Sequence, residues 1–163
     1  MQNKILFTVL CICLFSMCFA TVLGQGATMG SPVVRIVEGE VLISVRVENF
    51  NPGDKYRVGI GIVGETPLPA EMVFTRGGSP VGEVTEFTQG FTAHWWNVEQ
   101  IICKGMELSG DMLPAEGVEG SLQISIPKDS MDNTESVYIF VSKDYGSETW
   151  YLEDGSELDK SFW

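Results

Sequence analysis

Few residues in this 163-residue chain can do covalent or metal chemistry, and their spacing favours neither. There is one histidine, His94, and of the four cysteines only Cys103 lies beyond an apolar leader that holds Cys11, Cys13 and Cys18. Together His94 and Cys103 supply two of the three or four protein ligands that a zinc site needs, so catalytic zinc is not expected. No G-x-S-x-G turn or other nucleophile signature accompanies His94. No catalytic residue is therefore assigned, and a non-enzymatic protein is expected. A secreted hydrolase is the third reading, because 22 Asp and Glu residues allow two carboxylates to flank a glycosidic bond. Cys103 stands between Ile102 and Lys104. One basic neighbour does little to stabilise a thiolate, so this cysteine reads as a buried small hydrophobe.

Aromatic and acidic side chains offer binding chemistry instead. Trp95 and Trp96 are adjacent, so on a strand they point to opposite faces, and an exposed one can stack on the apolar C–H face of a sugar ring. Trp150 and Tyr151 are the candidate helpers, which makes a carbohydrate-binding module the second reading. In the acidic segment 153–159, Asp154, Glu157 and Asp159 set oxygen ligands about Gly155. Such ligands suit Ca²⁺, although the EF-hand spacing D-x-[DN]-x-[DN]-G is missing. No other cofactor is expected. A third kind of site needs only backbone: the small, uncharged segment 25–32 leads into Val33-Val34-Arg35-Ile36-Val37. Val33, Val34, Ile36 and Val37 suit the first strand of their own sheet, or a strand added to the open sheet edge of a neighbour, which would make a homo-oligomer.

Where these residues work follows from the start of the chain. Lys4 precedes an apolar run over residues 5–23, and small residues at Val22 and Gly24 suit a cut before Gln25. That order is a secretion signal, residues 1–24, so a secreted, extracellular or periplasmic location is expected. Two alternatives are a retained transmembrane helix, since 19 apolar residues nearly span a bilayer, and a lipid anchor on Cys18. Cleavage leaves 139 residues, a size for one domain, 25–163, with an extended N-terminal arm (25–37) and an acidic C-terminal tail (153–163). Cleavage also leaves a single thiol, so no internal disulfide can form. With 9 basic residues against 22 acidic ones, the net charge is about −13. Such a surface repels phosphate backbones and anionic lipid heads, which argues against nucleic acid and for a protein or glycan partner at the cell surface.

The elements that would position these residues are strands. In residues 40–50, Val41, Ile43, Val45 and Val47 alternate with polar residues, and in 55–64 Tyr56, Val58, Ile60 and Ile62 do the same. Asn51-Pro52-Gly53-Asp54 lies between them with Pro and Gly placed for a type II turn, which predicts a hairpin. Gly59 and Gly61 leave the other face of the second strand bare, for a bulge, a close neighbour or a ligand. Further strands are predicted at 72–76, 81–96, 121–126, 136–142 and 148–152, with a loop at 77–80 and either a strand or a short helix over 97–108. Seven or eight strands with no long helix predict an all-β, antiparallel two-sheet sandwich of immunoglobulin-like architecture, without the Cys and Trp hallmarks of true immunoglobulin domains. A membrane β-barrel is the rival, but the last segment, SELDKSFW, lacks the apolar-out alternation of a lipid-facing strand.

Overall fold

The structure is a computed structural model that describes residues 26–63, 67–91, 98–109, 112, 120–147 and 149–163. The chain runs through β1 (Thr28–Met29), β2 (Val33–Val37), β3 (Glu40–Glu48), β4 (Tyr56–Ile62), β5 (Glu71–Arg76) and β6 (Ser79–Val81). It continues through β7 (Val84–Phe91), β8 (Val98–Leu108), β9 (Gly120–Pro127), β10 (Ser136–Asp144) and β11 (Trp150–Asp159), with single 3-10 turns at Lys128–Met131 and Lys160–Phe162. Six strands form one antiparallel sheet, in which β1 and β2 lie in line along β3 and are followed by β9, β5 and β6. The other sheet is antiparallel in the order β11-β10-β4-β8-β7. The protein is thus an all-β, two-sheet sandwich.

Alternation explains the core. Val41, Ile43, Val45 and Val47 of β3, Leu122, Ile124 and Ile126 of β9, and Met72 and Phe74 of β5 point inward from the first sheet. Tyr56, Val58, Ile60, Met106, Leu108, Val137, Ile139 and Val141 meet them from the second. Each such side chain contributes about 1.5–3 kcal/mol by leaving water. Phe50 locks the two halves together, with its ring edge-to-face on Tyr56 at 4.9 Å and on Phe74 at 6.1 Å.

Three expectations change and one alternative is decided. β3 and β4 are not a hairpin: β3 pairs with β2 and β9, β4 pairs with β8 and β10, and the connection crosses from one sheet to the other. The predicted turn is present, with Gly53 at φ +90° and Asp54 N–H donating to the Asn51 carbonyl at 3.2 Å. Alternation reports which face of a strand is buried and not which strand lies beside it, so two inward-facing runs fit across a core as well as along a sheet. The predicted acidic tail is an edge strand, because β11 pairs with β10 along its length and buries Leu158, while Trp163 packs on the core. Residues 79 and 80, predicted as loop, join Val81 in strand β6, and of the two readings of 97–108 the structure shows a strand over Val98–Leu108.

The second sheet has a further cluster on the face away from the core. Ile101, Cys103 and Phe140 are buried there, flanked by Phe87, Tyr138 and Leu152. The glycines of this face allow the sheet to coil around that cluster. A Cβ on Gly59 would lie 2.4 Å from the Lys104 carbonyl oxygen, and one on Gly105, its cross-strand partner, 2.5 Å from that of Val58. At Gly61 the bare strip is filled by Ile101 and Cys103. With this coiling, Cα atoms of the edge strands β7 and β11 come within 8 Å of each other.

Candidate functional site

The sheet edges come first, because backbone pairing needs no special side chain. On the first sheet, β6 is three residues long and contains Pro80. On the second, β7 is interrupted by a register shift between Gln89 and Phe91 and curls toward β11. Short length, proline and bulges are the devices that discourage edge-to-edge pairing. β11 is screened by the N-terminal segment, since Met29 N–H of β1 donates to Asp154 Oδ2 at 2.8 Å across the gap between the sheets. β2 has none of these protections.

β2 is held to β3 by a two-residue loop, Glu38-Gly39, with φ of +51° and +85°. Positive φ at both central residues makes a type I′ turn, whose twist matches the strands it joins. Such a turn closes on a hydrogen-bonded pair, Val37 with Glu40, so by alternation Val34 and Ile36 turn their backbone groups outward. Along this strip Val33, Ile36 and Val37 are 51%, 49% and 46% exposed, while Val34 packs on the core. The structure therefore pairs the predicted arm within its own sheet and leaves its outer edge, where Val33, Ile36 and Val37 flank Arg35, without a partner strand among the described residues.

A second surface lies at the end of the sandwich where the β3–β4 connection meets the β10–β11 turn. Tyr145 and Tyr151 are 61% and 50% exposed, and their rings meet edge to face at 5.4 Å and 89°. The Tyr145 hydroxyl donates to Glu153 Oε1 at 2.7 Å, a bond that raises the phenol's pKa above its usual range. Lys143 Nζ sits 4.9 Å from the Tyr145 ring centre and pairs with Asp54 Oδ2 at 2.6 Å, and this hydrogen bond raises the ammonium pKa. The turn itself is braced, with Gly146 N–H donating to Asp144 Oδ1 at 2.8 Å and Tyr145 N–H to the Thr149 carbonyl at 3.0 Å. Tyr145 carried no sequence motif. Its neighbour Asp144 and the Gly146 turn were the visible signal, since a hairpin tip exposes whatever it carries.

Trp150 faces away from Tyr151, on the coiled outer face. The Arg57 guanidinium lies between two rings there, 4.0 Å from that of Trp150 and 4.6 Å from that of Phe87, and it pairs with Glu107 Oε2 at 3.6 Å. Trp150 is thus a half-buried packing residue, unlike the exposed Tyr151. Gln89 is buried on the same face, where its Oε1 accepts from the Ser142 hydroxyl at 3.4 Å, and among the described residues Gln89 Nε2 and Trp150 Nε1 have no hydrogen-bond partner. Burial pushes the Cys103 thiol up to about 12.

The three candidate calcium ligands go separate ways. Asp154 holds Met29 N–H and Gly155 N–H, Glu157 lies beside Tyr138, and Asp159 caps the last 3-10 turn by accepting from the Ser161 hydroxyl and N–H, which lower its pKa. On a strand, Asp154 and Glu157 point to opposite faces, so a spacing that would wrap a cation in a loop cannot do so here. Among the described residues no three His, Cys, Asp or Glu side chains come together as a metal site. The leader, His94, Trp95 and Trp96 lie outside the described residues. Among the described residues no helix is long and apolar enough to cross a membrane. No family model matches the chain, and comparison with curated proteins and with solved structures gives no significant match.

Proposed function

We propose that this protein is an exported, non-enzymatic sandwich of immunoglobulin-like type that serves as a structural or interaction unit at a cell surface and associates with a second copy of itself through the edge of β2. The observation that carries the reading is the contrast between edges. β6, β7 and β11 each carry a device against pairing, while β2 offers apolar side chains and outward backbone groups. An antiparallel pair of β2 strands centred on Ile36 would satisfy the outward backbone groups of Ile36 in both copies and cover Val37. Pairing centred on Ile36 sets Arg35 opposite Val37 of the other copy, whereas centring on Arg35 would place two guanidinium groups face to face. Export rests on Lys4 and the apolar run over residues 5–23.

The immunoglobulin-like comparison rests on position. β2-β3-β9-β5 and β11-β10-β4 occupy the places of strands A-B-E-D and G-F-C, with β8 and β7 where C′ and C″ would lie. One departure is topological: β7 and β8 follow β5 along the chain, whereas C′ and C″ precede D.

Sedimentation of the purified exported chain over a range of concentrations tests the association. Dimer is expected at high concentration, and Val33→Lys/Val37→Lys should be monomeric with an unchanged melting temperature. A wild-type chain that stays monomeric at several hundred micromolar, on the order of a weak specific interface, would sink the reading.

A further inference from the structure

We infer that the Tyr145–Tyr151 corner is a binding site for the ring of an uncharged sugar within a polysaccharide or glycan. The site is independent of the β2 edge. Two phenol rings at half exposure or more are unusual for side chains that gain by burial, and here they stand perpendicular, so that one ring can stack under a flat ligand while the other borders it. Tyr145 is braced, and the Tyr151 ring leans edge to face on it. Glu153 holds the hydroxyl of Tyr145, Lys143 sits over its ring, and Asp54 in turn holds Lys143. A pre-positioned corner loses little conformational entropy when a ligand arrives, which is why tyrosines on braced loops serve so widely as contact residues.

The polar groups around the corner narrow the ligand. Glu153 and Asp54 each use one carboxylate oxygen in the contacts above and have a second that can accept, while the Lys143 ammonium and the Tyr151 hydroxyl can donate and the Tyr145 oxygen can accept. Alternating donors and acceptors beside an aromatic face match a ring that carries hydroxyls on its rim and C–H groups on its flat side. Two further ligand classes fit less well. An anionic sugar would meet Glu153, Asp54 and a chain of formal net charge −12. A cationic ligand would compete with the ammonium already placed over Tyr145. The location agrees, since the corner lies at an end of the sandwich where two interstrand connections meet, and such loop ends carry recognition on rigid scaffolds.

Affinity electrophoresis of the exported chain tests this, with gels holding dextran, galactomannan or a soluble β-glucan, and polygalacturonate as the anionic control. At least one neutral gel should retard the protein and polygalacturonate should not. Tyr151→Ala should weaken that retardation at least tenfold while melting at the wild-type temperature. Tyr151→Phe, which keeps the ring, should stay within threefold and guards against a variant that misfolds. The inference is overturned if no neutral gel retards the chain, if retardation survives the Tyr145→Ala/Tyr151→Ala pair, or if polygalacturonate retards it most. Val33→Lys/Val37→Lys should be retarded like the wild type, so failure of the dimer reading and failure of this one are separate results.

Discussion

Burial pushes the Cys103 thiol up to about 12, which disfavours the thiolate that nucleophilic and redox roles use. Ile101 and Phe140 bury it, and Arg57, which favours the thiolate, does not offset that desolvation. The same burial makes stability depend on pH. An unfolded thiol ionises near pH 9, so above that pH the unfolded chain holds fewer protons than the folded one and stability falls as pH rises toward 12. The slope approaches about 1.4 kcal/mol per pH unit for one group. Tyr56, raised by burial, and Lys143, raised by its bond to Asp54, add to the loss above about pH 10. Urea unfolding at pH 8 and pH 11 should therefore show the wild type losing about 2 kcal/mol more than Cys103→Ala. Equal losses would count against a protonated buried thiol. The buried nature of Cys103 was legible in its apolar neighbours Ile101 and Ile102. The exposure of Tyr151 and the packing of Trp150 were not, because adjacent strand residues differ only in which face the sheet makes solvent-accessible.

At the level of elements, glycine content on β4 and β8 sets the shape of the second sheet. Gly59 and Gly105 oppose each other, and a methyl group on either would enter the backbone of the adjacent strand. Gly59→Ala should destabilise the fold by about 1–3 kcal/mol, toward the upper end because the obstructing atoms are backbone and cannot rotate away. Gly59→Ala/Gly105→Ala should cost less than the sum of the singles, since one separation of β4 from β8 relieves both. Denaturant melts decide this, and additive costs would argue that the coil of the sheet is not set there. The sequence showed the missing side chains at Gly59 and Gly61, and their cause as a close neighbour was among the expectations. That the neighbour is the adjacent strand β8 needed the register. β3 and β4 teach the same lesson: the alternation and the turn were read correctly, and the partnership was not.

Over the whole molecule, the two sheets share one main core, while the outer cluster of Ile101, Cys103 and Phe140 leans on the same strands from the other side. β10 serves both, with Ile139 and Val141 facing inward and Phe140 facing outward. Its two-sided apolar sequence, SVYIFVS, announced a strand covered on both faces. Loosening either cluster should therefore loosen the other. Phe74→Ala and Phe140→Ala are each expected to cost about 3–5 kcal/mol and to leave a single unfolding transition. Calorimetry that resolves two transitions for Phe140→Ala would mean that the outer cluster melts alone.

The sequence by itself determined the all-β class, the inward faces of β3, β4, β9 and β10, and the Gly53 turn. These are properties of residue type and of period two, and both are local. Only the tertiary structure decided that β3 and β4 lie in different sheets, that the acidic end is strand β11, that Asp154 binds a backbone amide, and that Tyr145 joins Tyr151. Each of these depends on pairing between segments far apart in the chain. Backbone hydrogen bonds are alike for every residue but proline, so no side chain names its partner until register and burial are settled together.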